Sequence, residues 1–400
     1  MKWAFVNGRI IVGDGRLFER GTVLVEGERI TKVTEGNTPP IPGDAEIVSL
    51  EGRTLMPGFI DCHVHLCLDA GPDPVGSCLT DPLPIIVLKA ADAARRTLMA
   101  GVTTVRDLGG KAGIDIQIKR AITSGLIQGP RMLVSGQMIC MTGGHGWQVG
   151  READGPDEVR KAAREQIKSG ADIVKLMATG GVMTEGVEPG SPQLSEEELR
   201  AGVREAHKAG KKTATHAMGT EGILNALRAG IDSIEHGVYL DEEALTIMAE
   251  RNVPFIPTVS ALYNIETKGT EAGIPDFAVE KTLRVKPHHL QSVRMAREAG
   301  VSIAMGTDAG TPFNRHGENL GELERLVESG FSPMEAIEAG TRVAAGVLGL
   351  DDILGTIEEG KLADLIVVEG NPLEDVSILR QREALVHVIK GGKAAEKSPK

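Results

Sequence analysis

His63 and His65 stand two residues apart in the stretch Gly58-Phe59-Ile60-Asp61-Cys62-His63-Val64-His65-Leu66. An extended chain turns alternate side chains to the same side, so both imidazoles leave one face. Two neutral imidazoles on a rigid face make half of a metal site. Leu55, Phe59, Ile60, Val64 and Leu66 read as a buried strand around them, not a surface hairpin. Taken alone, the pair is equally compatible with histidines hydrogen-bonded for structural reasons. Four other short apolar runs carry residues of matching chemistry: Lys175 within 172–177, His216 closing 213–216, His236 within 233–237 and Asp308 closing 305–308. Four imidazoles and a carboxylate are nitrogen and oxygen donors suited to zinc or a similar first-row divalent ion. Lys175 is the odd member, since a buried ammonium in an apolar strand is costly.

These runs recur at the ends of a repeated unit. A polar helical stretch ends in glycine and leads into a short apolar strand at 99–105, 168–174, 208–213, 228–234 and 298–303. Asn252 takes the glycine place in 251–255, and 129–134 supplies another strand. With the strand carrying His63, the count is about eight βα units, which predicts an α/β fold with a (β/α)8 TIM-type barrel over residues 57–349. Ser195 with Glu198, and Ser332-Pro333 with Glu335, mark helix starts. A doubly wound open sheet is the alternative, but no Gly-x-Gly-x-x-Gly follows the first strand. In the barrel, strand C-termini face one cavity, so the five runs read as one site.

The flanks have another texture. Short β-rich runs at 3–6, 9–12, 21–25, 29–33 and 46–50 are separated by turn residues, with tight turns expected at Asn7-Gly8 and Glu26-Gly27. Similar runs return at 355–357, 364–368 and 384–390. Residues 1–56 and 350–400 are therefore expected to pair into a small β-sandwich domain beside the barrel.

The chain has 400 residues, 41% hydrophobic and 25% charged, enough for one large domain and a smaller one. A net charge of -12 without any Lys/Arg run argues against nucleic acid and for a small-molecule partner. Cys62, Cys67, Cys78 and Cys140 have no CxxC spacing and read as reduced thiols, hence a cytoplasmic protein. Asn7-Gly8 and Gly13-Asp14-Gly15 interrupt the N-terminus, and no run reaches the roughly 18 apolar residues of a membrane span, so neither secretion nor a membrane is expected.

The residues Pro57 to His65, Lys175, His216, His236 in Glu235-His236-Gly237, and Asp308 in Gly306-Thr307-Asp308, in this order, resemble the amidohydrolase superfamily of metal-dependent hydrolases. The likeness covers essentially the whole chain, with 355–368 similar to the family's closing strands. It implies that His63, His65 and Asp308 hold one of two divalent ions, expected to be Zn2+, and that His216 and His236 hold the other. Lys175, N-carboxylated by CO2, would bridge them as an anion. Two ions about 4 Å apart would share a hydroxide that attacks the amide, with Asp308 moving its proton to the leaving nitrogen.

Within the superfamily, the pieces Met141 to Gly146, Lys175 to Met183 and Glu235 to Tyr239 look most like the prolidase-like Xaa-Pro dipeptidases and C-terminal amino-acid amidases. That group implies that His145 and Tyr239 contact the substrate's carbonyl or α-carboxylate. A dipeptidase or N-acyl amino-acid amidase is thus the first reading. A hydrolase of a cyclic or xenobiotic amide or urea, of the imidazolonepropionase, ochratoxin amidase or phenylurea hydrolase kind, is the second. The imidazolone-type relatives typically lack a bridging lysine. A catalytically silent assembly protein is the third and would be expected to have lost ligands. Members of the family often assemble, which leaves a homo-oligomer open. Arg106, open to use as a cationic anchor or in an ion pair in the neighbourhood of Asp107, is read as structural; His207, His288, His289, His316 and His387 are read as ordinary histidines, with a role near the strand-eight loop left open for His316. The Gly- and Pro-rich segment Glu185 to Gln193 has the composition of a lid.

Overall fold

The computed structural model describes residues 1–395. Five strands occupy the N-terminal flank: β1 (Lys2–Ile11), β2 (Leu17–Glu26), β3 (Arg29–Glu35), β4 (Glu46–Ser49) and β5 (Arg53–Pro57). The middle contributes β6 (Phe59–Val64), β7 (Val102–Asp107), β8 (Arg131–Val134), β9 (Ile139–Cys140), β10 (Arg151–Glu152), β11 (Ile173–Met177), β12 (Lys212–Ala217), β13 (Ile234–His236) and β14 (Phe255–Ile256). The last three, β15 (Leu365–Glu369), β16 (Leu385–Lys390) and β17 (Lys393–Ala394), return to the flank.

Both chain ends share one eight-stranded sheet, ordered β17-β16-β15-β5-β1-β2-β3 with β4 beside β1. It fits a sandwich: Trp3, Phe5, Leu55, Val367 and Ile389 are buried together in a core of their own. Each such side chain contributes about 1.5–3 kcal/mol by leaving water. Two expectations for this region are corrected. Asn7-Gly8 is no hairpin turn, because β1 runs through it with a register shift against β2. Asn7 takes a φ of 63° and a Cβ on Gly8 would fall 2.2 Å from the Leu50 carbonyl oxygen, so the pair makes a bulge under a close backbone approach. Residues 355–357 form no strand; they turn, and Ile357 donates its N–H to the Val12 carbonyl.

The middle is parallel. β6-β7-β8 form one array, and β10-β9-β11-β12-β13-β14 another. β6, β7 and β11 are buried along their whole length, as strands covered on both faces must be. The arrays are joined at both ends. Asp172, just before β11, donates its N–H to Val134 of β8 (2.8 Å). On the far side the expected eighth strand is only an irregular segment, bridged at Phe255–Ile303 and Val64–Ala309. Ala304 donates to Phe255 of β14 (3.0 Å), while Cys62 of β6 donates to Met305 (2.9 Å). Helices enter and leave these strands at the expected signals. Ser195 with Glu198 and Ser332 with Glu335 form capping boxes, and Gly170 and Asn252 end their helices in the left-handed conformation. Among the described residues no helix is long and apolar enough to cross a membrane.

Gly306 is where this architecture touches the site. A Cβ there would lie 2.3 Å from Ile256 Cγ2 and 3.0 Å from His63 Cβ. Gly306→Ala is expected to destabilise the fold by about 1–3 kcal/mol and to displace Asp308. Denaturant melts paired with metal analysis check this; a variant with unchanged midpoint and metal content would contradict the packing account.

Candidate metal centre

Three acceptor atoms meet at one point. His63 Nε2 lies 3.3 Å from His65 Nε2, and Asp308 Oδ1 lies 3.4 Å and 3.3 Å from them. The other ring nitrogens settle what these atoms are. His63 Nδ1 faces Glu235 Oε2 at 2.9 Å and His65 Nδ1 faces the Gly109 carbonyl at 2.6 Å. Both partners accept, so both Nδ1 atoms carry hydrogen, and in the neutral rings both Nε2 atoms present lone pairs. Despite burial, the neighbouring Asp308 raises the His65 pKa, and lone pairs and a carboxylate oxygen at this separation repel one another unless a proton or a metal cation lies among them.

The same logic extends to the next two histidines. Thr258 Oγ1 donates to the Pro257 carbonyl, so it accepts from His236 Nδ1 (2.7 Å) and leaves His236 Nε2 bare. His216 Nε2 donates to the Gly180 carbonyl (3.3 Å), which leaves its Nδ1 bare. The His236 ring centroid lies 5.0 Å from that of His63 and 4.5 Å from that of His216. Burial first, then neighbouring positive groups, holds His63, His216 and His236 well below the usual histidine range, in the neutral form that binds metals.

Lys175 completes the group. Its Nζ is buried without a hydrogen-bond partner, in a side chain 1% exposed. Burial pulls its pKa down to about 8, which makes the free amine accessible near neutral pH. An orphaned amine among bare imidazole nitrogens fits a site completed by cations and an added anion. Of the residues expected from sequence, the structure brings His63, His65, Lys175, His216, His236 and Asp308 to one cavity, with His145 beside them. The His145 ring centroid is 4.4 Å from that of His216, and burial followed by nearby Lys281 lowers its pKa to about 3. Its seat requires Gly181, where a Cβ would fall 2.3 Å from His145 Nε2. Tyr239 does not line the cavity; its ring packs against His288 at 5.0 Å. The 185–193 segment is tied down by Arg284 on Glu188 (2.6 Å), and Lys281 donates to the Thr184 carbonyl just before it (2.6 Å).

The supporting groups are mostly ones the sequence did not single out. Arg106 is structural as expected, but its partner is Glu235 and not the neighbourhood of Asp107. Its Nη2 donates to Glu235 Oε1 (2.8 Å), its Nη1 to Ser233 Oγ (3.0 Å) and its Nε to the Cys62 carbonyl (2.5 Å). Asp61 accepts from Thr307 Oγ1 (2.6 Å), Asn319 Nδ2 (2.7 Å) and the backbone of His63 (3.1 Å), tying β6 to the Asp308 turn. His316 lies near that turn, its Nε2 3.2 Å from the His65 carbonyl oxygen. His289, read as ordinary, lines the cavity, 1% exposed, with the Pro257 and His236 backbone beside its ring. Its position on the helix Asp276–Glu298, away from any strand end, left no sequence signal. Non-glycine residues with positive φ cluster here: His236 (70°), Thr258 (54°) and Asp308 (58°). Such backbones persist only where surrounding contacts force them, and they gather at functional sites.

Glu235→Ala should leave Arg106 buried and unpaired and free the His63 ring, lowering stability by about 3–5 kcal/mol and weakening metal binding roughly 10–100-fold. Chelator titration of the folded variant reads the second effect separately; metal affinity equal to wild type would show that His63 needs no carboxylate behind it.

Residues 54–395 match the model of the amidohydrolase family. An ochratoxinase of Aspergillus niger is 33% identical over 96% of this chain and 85% of its own length. A Xaa-Pro dipeptidase crystallised with methionine in its active site superposes with a TM-score of 0.89 at 34% identity, covering 98% of this chain and 99% of the other. A prolidase complexed with N-methylphosphonate-L-proline gives 0.91 at 32% identity over the same shares. The chain belongs to the amidohydrolase family and is a hydrolase of carbon–nitrogen amide bonds.

Proposed function

We propose that this protein is a binuclear metal-dependent hydrolase that cleaves the amide bond of dipeptides or N-acyl amino acids, in the manner of a Xaa-Pro dipeptidase. The observation carrying it is the set of bare acceptor atoms on His63, His65, His216, His236 and Asp308 around the unpartnered Lys175 amine. In this reading His63, His65 and Asp308 hold one divalent ion, zinc by the nature of the donors, His216 and His236 hold the second, and carboxylated Lys175 joins them. When bound, the ions supply Lewis-acid activation of the amide carbonyl and of water near neutral pH. The remaining steps belong to the chain. Asp308, with one carboxylate oxygen turned to the histidines, accepts the water's proton and delivers it to the departing nitrogen. His145 offers its ring to the substrate's carbonyl or carboxylate. Tyr239 would join it only after a shift from its seat against His288.

The same reading takes the eight parallel segments, β6, β7, β8, β11 to β14 and residues 302–306, as a (β/α)8 barrel over 57–349, flanked by the domain expected at 1–56 and 350–400, of which 396–400 lie outside the described residues. The bonds at Asp172–Val134 and Cys62–Met305 support closure, and the separate core around Trp3 and Phe5 supports the division. Four buried free thiols fit a reducing, cytoplasmic setting. The ochratoxinase relative keeps a second reading open, a xenobiotic amide as substrate.

Lys175→Ala is expected to lose metal and activity together, by at least about 10^3-fold in kcat; full two-metal content in that variant would sink the bridge. Apoprotein reloaded with zinc at constant CO2 pressure should regain activity faster as pH rises toward 8, about tenfold per unit, because only the unprotonated amine takes up CO2. Above pH 8 the gain should level off. His145→Asn should lower kcat/KM by roughly 10^2-fold on a panel of Xaa-Pro, Xaa-Arg and N-acyl amino acids. Cleavage of none of these by metal-loaded protein, with opening of a ring amide instead, would overturn the dipeptidase reading.

A further inference from the structure

The cavity over the metal centre has a wall of unusual composition. Met138, Met177, Met183, Met218, Leu262 and Ile265 line it. Among the described residues lining it, every ionisable group is a member of the metal centre, His145 or His289; no arginine or glutamate faces it, and no further lysine or aspartate. Thr258 and Thr311 are the remaining polar side chains, and Thr258 is engaged with His236 and Pro257. Gly146 makes room for this wall, because a Cβ there would fall 2.7 Å from Met138 Sδ. Met138, Met177 and Met218 are buried, while Met183 is only partly so, which puts it toward solvent.

A charged substrate side chain entering this space would lose its water without gaining a partner. An apolar one gains about fourfold in binding for each methylene buried. Methionine side chains are unbranched and polarisable, so they remould around different apolar shapes instead of demanding one. Building on the amide-hydrolase reading above, we propose that this protein selects amides bearing a bulky, uncharged apolar group, aliphatic, thioether or aromatic, and rejects those bearing a charged side chain in its place.

Two substrate series on the zinc-loaded protein test this: N-acetyl derivatives of alanine, leucine, methionine, phenylalanine, lysine and glutamate, and glycine acylated with acetyl, hexanoyl, benzoyl or succinyl groups. In at least one series kcat/KM should rise by about tenfold or more from the smallest member to the bulky apolar ones, and lysine, glutamate or succinyl members should fall below the smallest. Calorimetric binding of L-phenylalanine, L-methionine, L-lysine and L-glutamate reads the cavity independently of bond cleavage. Tight binding confined to the apolar pair without any hydrolysis would fail the amide reading and leave the apolar selection standing. Hydrolysis or binding of charged members within about threefold of the apolar ones would overturn the selection and leave amide hydrolysis intact, and failure of all four amino acids to bind would count against it too. Met183→Glu, a change at the partly exposed rim, should reduce the phenylalanine-to-lysine ratio by about tenfold or more, and an unchanged ratio would remove the methionine wall from the explanation.

Discussion

The mutual repulsion of His63 Nε2, His65 Nε2 and Asp308 Oδ1, held within 3.4 Å of one another, is the constraint that organises this molecule. Without a cation such a cluster spreads, since each acceptor is better solvated apart from the others. Here the scaffold forbids spreading. Glu235 and the Gly109 carbonyl fix the two rings from behind, and Asp61 binds the Asp308 turn to the strand that carries them. Arg106 is the deepest element of this support: fully buried, it neutralises Glu235 and also holds the Cys62 carbonyl, so one side chain secures both the ring's partner and the ring's strand.

Holding ligands this way costs backbone energy. His236, Thr258 and Asp308 each occupy the left-handed region, at about 1–3 kcal/mol apiece for residues with a Cβ. The continuous core beneath them, from Phe59 and Val64 through Leu176 and Ile234 to Phe255, supplies the stability that offsets it. Glu322 extends the support one layer outward. Its buried carboxylate, pushed up to about 7 by burial, accepts the N–H groups of Val259 and Ser260 (2.7 Å each) and so anchors the turn holding Thr258 and, through it, His236.

The site therefore has two unlike halves. One is a rigid, buried cluster of imidazoles, a carboxylate and an amine; the other is an apolar wall of methionines. Rigidity serves the reaction, because reacting groups must be held to a fraction of an ångström. Plasticity serves recognition of apolar surface, which is non-directional and tolerates rearrangement.

Sequence by itself determined which side chains cluster, that most of them sit on β-strands, and the parallel α/β texture; the segment before Asp308 proved irregular. Glycine caps, apolar runs and His-x-His spacing are local signals, each written in a few neighbouring residues. It also carried Ser195 and Ser332 as helix starts, for the same reason. Asn7-Gly8 misled because an Asn-Gly pair suits any left-handed backbone, and only the approach of Leu50 decided for a bulge over a turn. Tertiary structure alone decided the pairing of Arg106 with Glu235, which lie 129 residues apart, and the arrival of His289 from a long helix. It alone decided which nitrogen of each imidazole is bare, because that depends on the partner of the other nitrogen. Those partners, Gly109, Glu235, Thr258 and Gly180, come from separate segments that only the folded chain brings together.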